Sequence, residues 1–144
     1  MSKSIEKLRQ SSTRLNEITD RAAETVHRVE VFLNQECKAG ISACVRVEEE
    51  VDPTSGSASY LDLCYCRVHG KYRIAVADKD DGDPDDWCTT PWSDCTRNVK
   101  LRTVEKLPDL IKQIVANVEE KIKRVDQISA VVTGLMQSID KKGR

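Results

Sequence analysis

Apolar residues recur every seven positions at both ends of the chain, and between those ends the repeat drops to two. Counted from Val104, the first place of each heptad holds Val104, Ile111, Val118, Val125, Val132 and Ile139. Three residues further on stand Leu107, Ile114, Lys121, Ile128 and Leu135, so Lys121 is the one polar residue in the seam. Apolar first and fourth places sustained over five heptads predict a helix whose stripe faces another helix. At about 1.5 Å per residue, a helix from Leu101 to Ile139 runs roughly 55 Å, longer than a small domain is wide. Its stripe therefore needs a partner, from this chain or from a second copy. Pro108 lies inside the pattern and predicts a kink, or a short helix to Leu107 and a new one opening at Pro108. Asp94 or Thr96 is the expected N-cap.

The N-terminal stretch also reads in sevens, through Leu8, Leu15, Ala22 and Val29. Ile18 and Phe32 fall three places later, and Ile5, Val26 and Leu33 four places later. Ser11, Ser12, Thr19 and Thr25 weaken this stripe. The pattern predicts a helix from about Ser4 to Cys37, stopped by Gly40, since glycine takes a left-handed conformation without steric cost. His27 falls on its polar face and reads as solvated.

From Ile41 the alternation is Ile41, Ala43, Val45 and Val47 against Ser42, Cys44, Arg46 and Glu48, a strand to about Val51. A polar turn at 52–57 leads to a second strand, Tyr60 to Val68. His69-Gly70 is a two-residue hairpin turn, and Lys71 to Asp78 is the third strand. This turn pairs Val68 with Lys71, Tyr65 with Ile74 and Leu63 with Val76. One face then collects Leu61, Leu63, Tyr65, Tyr72, Ile74 and Val76 for the helices to cover. The other collects Asp62, Cys64, Cys66, Val68, Arg73, Ala75 and Ala77. Trp87 and Trp92, in an irregular segment with Pro91, are expected to bury against this smaller face. The fold class is α+β: a long N-terminal helix, a three-stranded antiparallel meander, an irregular Trp/Cys loop and a long heptad-patterned C-terminal helix. The chain reads as a single domain over 1–144, with the N-terminal helix at 1–39, an acidic β head at 41–97 and the coiled-coil-like helix at 98–140. The two helices could pair within the chain as an antiparallel hairpin, and a parallel seam between two copies is equally compatible with the pattern.

Net charge is only −1, but it is unevenly spread. Residues 41–97 hold twelve Asp/Glu against six Lys/Arg, whereas 98–144 hold six against ten. The acidic head should repel nucleic acid and anionic membrane. The first ten residues are polar and no apolar run approaches eighteen, so a cytoplasmic protein without a membrane span, with its six cysteines reduced, is expected. Cys64 and Cys66, with Cys88 and Cys95 downstream, form a metal-ligand composition that zinc could take, although Cys-x-Cys on a straight strand spreads its sulfurs. Plain burial of the thiols is the simpler reading, and no cofactor is expected. The Asp78–Asp86 loop departs from a calcium loop at its fifth, sixth and twelfth places. Glu119 and Lys121, two apart on a helix, cannot converge as a nuclease pair. Neither histidine stands in an evident Ser or Cys triad, and no glycine-rich phosphate loop occurs, so no enzyme is expected.

What remains is an interaction protein that is not an enzyme. Val104, Ile111, Ile114, Val118, Val125, Ile128, Val132 and Leu135 form a seam for self-association into a homo-oligomer. Asp80, Asp81, Asp83, Asp85, Trp87 and Trp92 are expected to meet a basic protein partner, as in an inhibitor or immunity protein. The alternative is a small zinc-binding regulatory module built on Cys64, Cys66, Cys88 and Cys95.

Overall fold

The two-residue turn at His69-Gly70 sets the register of the sheet. The computed structural model describes residues 2–82 and 87–142. In it β2 (Ala58–Val68) and β3 (Lys71–Asp80) pair antiparallel, with Val68 opposite Lys71, Tyr65 opposite Ile74 and Leu63 opposite Val76, as the alternation predicts. Both turn residues have positive φ, 52° at His69 and 85° at Gly70, which matches the twist of the flanking strands. β1 (Ala43–Val51) flanks β2, and β4 (Cys88–Pro91) flanks β3, all antiparallel, in the order β1-β2-β3-β4. The fourth strand was not foreseen. It is four residues long and ends in a proline, which cannot donate to a ladder and is confined to edge positions like this one.

β1 carries a bulge. Arg46 faces Asp62, but Glu48 faces Leu61, so Val47 is an extra residue. The side chains after it change faces. Glu48 and Glu50 thereby join the side of Leu61, and Glu49 joins the side of Tyr60.

The large apolar face is where the core sits. Ala43, Leu63, Tyr65, Ile74 and Val76 are buried there beneath Val26 and Leu33 from the N-terminal helix, Trp92, and Leu107, Leu110 and Ile114 from the C-terminal one. Burying one such side chain contributes roughly 1.5–3 kcal/mol, so this layer carries most of the fold's stability. The N-terminal helix is α1 (Ser2–Val31), continued by one π-helical turn, Phe32–Glu36. Gly40 is not its immediate stop: Lys38 takes the left-handed conformation first, at φ 48°, and Gly40 follows at φ 56°.

α2 (Arg97–Val104) starts behind Thr96, whose hydroxyl accepts the Val99 N–H, so Thr96 rather than Asp94 is the cap. The chain turns at Glu105-Lys106 and α3 (Leu107–Lys142) opens with Pro108 in its first turn, where a missing N–H costs nothing. The heptad run is thus two helices: Val104 belongs to α2, and the seam proper starts in α3. No helix among the described residues is long and apolar enough to cross a membrane.

Candidate functional site

α3 is seated on the sheet only over its first three turns. Leu107, Leu110 and Ile114 are buried, Val118 packs at the core edge, and the Asn117 amide donates to the Ser42 carbonyl at 3.0 Å. Beyond this point the stripe continues without a cover. Ile122, Val125, Ile128, Val131, Val132, Leu135, Met136 and Ile139 are 49–64% exposed. Of the predicted seam, Val104, Ile114 and Val118 therefore serve the chain's own core, Ile111 borders it, and Val125, Ile128, Val132 and Leu135 face solvent. In α1, Ile5, Leu8, Leu15 and Ile18 are likewise exposed. α1 and α3 share no extended contact, so the helices do not close into a hairpin within the chain. They approach around Val29, Phe32, Leu33 and Ile111, which line a shallow apolar notch. Soluble monomers rarely leave a contiguous apolar strip of this length uncovered.

The acidic character of the head is a band across strands rather than a loop alone. Register aligns Glu48, Leu61 and Asp78 in one row, Glu49, Tyr60 and Lys79 in the next, and Glu50, Ser59 and Asp80 in the third. Asp81 follows, its carboxylate accepting the Tyr60 hydroxyl at 2.7 Å. That bond, to an anion, pushes the Tyr60 pKa up. Asp80 Oδ1 accepts the Gly82 N–H at 2.8 Å, which forms the turn out of β3. Asp83 and Asp85 lie outside the described residues. Trp87 is 56% exposed, with the Lys79 ammonium 5.2 Å from its ring.

Trp92 corrects the expectation most sharply. It is 1% exposed and belongs to the large apolar face, beneath the helices, not to the small face and not to a presented surface. Its Nε1–H donates to the Thr103 hydroxyl at 3.0 Å, and that hydroxyl donates to the Val99 carbonyl at 2.7 Å. The indole is a bolt between β4 and α2.

On the opposite face Asp62, 4% exposed, holds two cations. Arg46 Nε donates to its Oδ1 at 2.6 Å, and Lys79 Nζ lies 3.3 Å from its Oδ2. The Asp62 hydrogen bond raises the Arg46 pKa further. The Arg46 guanidinium also covers the Tyr60 ring at 4.0 Å, a cation–π contact. The sequence puts Asp62 on this face, but its partners depend on how β1 and β3 flank it, which periodicity does not encode.

The cysteine quartet is not assembled. Cys44, opposite Cys64 on β1, is joined to it by a disulfide, so Cys64 is no free ligand and the cysteines are not all reduced. Among the described residues no three His, Cys, Asp or Glu gather in metal-binding reach. Cys37 and Cys88 are exposed free thiols, and Cys66 and Cys95 are half-buried ones. Burial pushes both half-buried thiols up in pKa, which keeps them protonated and weakly nucleophilic.

A cleft of about 700 Å³ at the end of α1, lined by polar and apolar surface alike, has no counterpart in the sequence reading. Glu30 lines it from α1 and Asn34 from the π-helical turn that follows. Glu30 accepts the Ile74 N–H at 3.0 Å and Arg73 Nε at 3.2 Å. The Asn34 amide donates to the Tyr72 carbonyl at 2.8 Å and accepts the buried Tyr65 hydroxyl. These polar groups dock the helix end onto the sheet.

No family model, curated protein or solved structure matches the chain.

Proposed function

We propose that this is an interaction protein rather than an enzyme, which self-associates through α3 and offers its acidic sheet end to a basic protein partner. The observation that carries the reading is the uncovered apolar stripe from Ile122 to Ile139. Pairing two copies along it covers eight half-exposed side chains on each. At roughly 0.7–1.5 kcal/mol for each one covered, the gross gain is about 11–24 kcal/mol. Association costs an estimated 4–15 kcal/mol in lost freedom, and the middle of each range leaves about 8 kcal/mol, a pairing of about micromolar strength. The acidic band, with Trp87 at its rim, has the composition that steers and anchors a basic protein surface, as an inhibitor or immunity protein does.

Analytical ultracentrifugation tests the self-association. The wild-type chain should sediment as an oligomer at micromolar concentration. Ile128→Asp with Leu135→Asp should sediment as a monomer with its thermal transition retained, because neither residue touches the core. A wild-type chain that stays monomeric at about 100 μM removes the proposal. For the acidic end, Asp80→Asn with Asp81→Asn should slow association with a basic protein at low ionic strength. The deficit should shrink as salt rises and the Debye length falls.

A further inference from the structure

We infer that the second copy lies antiparallel on α3, with Val125 of one copy level with Leu135 of the other. This rests on the self-association reading and adds to it an orientation and a register.

Three features on α3 point the same way. The first is Lys121, the only charged residue at a seam position between Val104 and Ile139. In a parallel, in-register pair it would meet its own copy within one layer, two ammonium groups in a partly desolvated seam. With Val125 level with Leu135, Ile128 meets Val132 and Lys121 meets Ile139. The lysine stem then lies on an isoleucine, and its ammonium can extend towards solvent and the carboxylate of Asp140 in the other copy.

The second feature is the order of charges at the two ends of the uncovered segment. It begins Glu119, Glu120, Lys121 and ends Asp140, Lys141, Lys142. Run against a reversed copy, Lys121, which lies in the seam, comes level with Asp140, opposite in sign, to within one residue of the seam register. Run against a parallel copy, Lys121 comes level with itself. Among the described residues Glu120 reaches only Arg124 on its own helix, at 3.2 Å, and Glu119, Lys121, Asp140, Lys141 and Lys142 make no ion pair.

The third is that residues 127–139 carry no charge at all. Nothing inside the stripe selects an orientation, so the ends decide it. The 24 residues from Glu119 to Lys142 span about 36 Å on a helix roughly 10 Å across. Counted on both copies, this strip is about 720 Å², short of the roughly 1,000 Å² of a stable specific interface and the size of a weak, transient one.

Disulfide trapping on the full chain tests orientation separately from association. Cys37→Ser and Cys88→Ser remove the exposed thiols. Val125→Cys is placed on one copy and Leu135→Cys on a second copy of different mass, and the mixture is oxidised. The mixed product, which joins position 125 of one copy to position 135 of the other, should form at least tenfold faster than either homodimer. Faster like-with-like products would show a parallel pair, which overturns the inference and leaves self-association standing. A sample monomeric in sedimentation, with no product of any kind, overturns both. Preferential trapping of the Val125→Cys copy by a Leu15→Cys copy would make α1 the occupant and also overturn the inference. A charge swap gives a second measurement. Asp140→Lys should weaken association several-fold, and adding Lys121→Glu should restore it. In a parallel pair Lys121 meets itself and not Asp140, so Asp140→Lys would leave affinity unchanged.

Discussion

Trp92→Ala should remove a large share of the protein's stability, and Trp87→Ala almost none. Trp92 is 1% exposed in the layer shared by the sheet and helices, and truncating a buried Trp costs about 3–5 kcal/mol. Against a typical total of about 5–15 kcal/mol, that is near-complete loss for a marginal domain. Trp87 is 56% exposed, and its indole N–H lies a long 3.4 Å from the Asp80 carbonyl, so its removal should stay within about 1 kcal/mol. The hydrogen bond can be isolated from ring volume by a double-mutant cycle. Thr103→Val keeps the shape but leaves the buried Trp92 N–H without an acceptor, a cost of about 1–3 kcal/mol. Trp92→Phe removes the donor together with part of the ring. The double variant should be more stable than the sum of the two by about 0.5–1.5 kcal/mol, because the orphaned donor is gone. Equilibrium urea unfolding followed by circular dichroism gives all four corners. Strictly additive costs would refute the Trp92–Thr103 bond. A Trp92→Ala protein as stable as Trp87→Ala would return Trp92 to the surface and to the partner-binding set.

Three further outcomes follow from named contacts. Gly70→Val should lower stability by about 1–3 kcal/mol, since a β-branched residue resists the φ of 85° there; an unchanged urea midpoint would move the turn elsewhere. Asp62→Asn should cost about 1–2 kcal/mol, a figure held down because both cations remain partly exposed, and the cost should diminish in high salt; a salt-independent loss would mean packing rather than charge. The Glu48 pKa is held below its ordinary 4.5 by the Arg102 hydrogen bond, so its contribution is present above that pH and lost as pH falls through the lower folded value. Wild-type unfolding midpoints should drop over that interval by more than those of Glu48→Gln, and equal drops would place the acid sensitivity elsewhere.

The β2–β3 hairpin was legible because a two-residue turn leaves only one pairing that keeps Leu61, Leu63, Tyr65, Ile74 and Val76 together. Both long helices were legible from period, and their covering of the large face followed from its size. Other features depend on non-local pairing and left no mark in any local pattern. Cys44 meets Cys64 because β1 adds to β2 in one particular register, and no spacing rule states that register. β4 needed the edge of β3 to be vacant. Trp92 was assigned to the wrong face because burial of an indole can be argued from composition, but the side it buries against cannot. The seam was read correctly as apolar and helical. Its division at Glu105-Lys106, with Ile114 serving the core and Ile128 facing solvent, depends on how far the sheet extends beneath α3.

The extra residue at Val47 works as a phase shifter on the run Glu48-Glu49-Glu50. Without it, strict alternation would turn Glu49 and Val51 under the helices and leave Glu48 and Glu50 on the outer face. With it, Glu48 reaches Arg102 on α2, and Glu49 stands 4.0 Å from Arg46 on the far side of the sheet. One added backbone unit therefore decides which of three identical neighbours joins which of two electrostatic circuits. Deleting Val47 would exchange their assignments all at once, a change of wiring that no single side-chain substitution in β1 could reproduce.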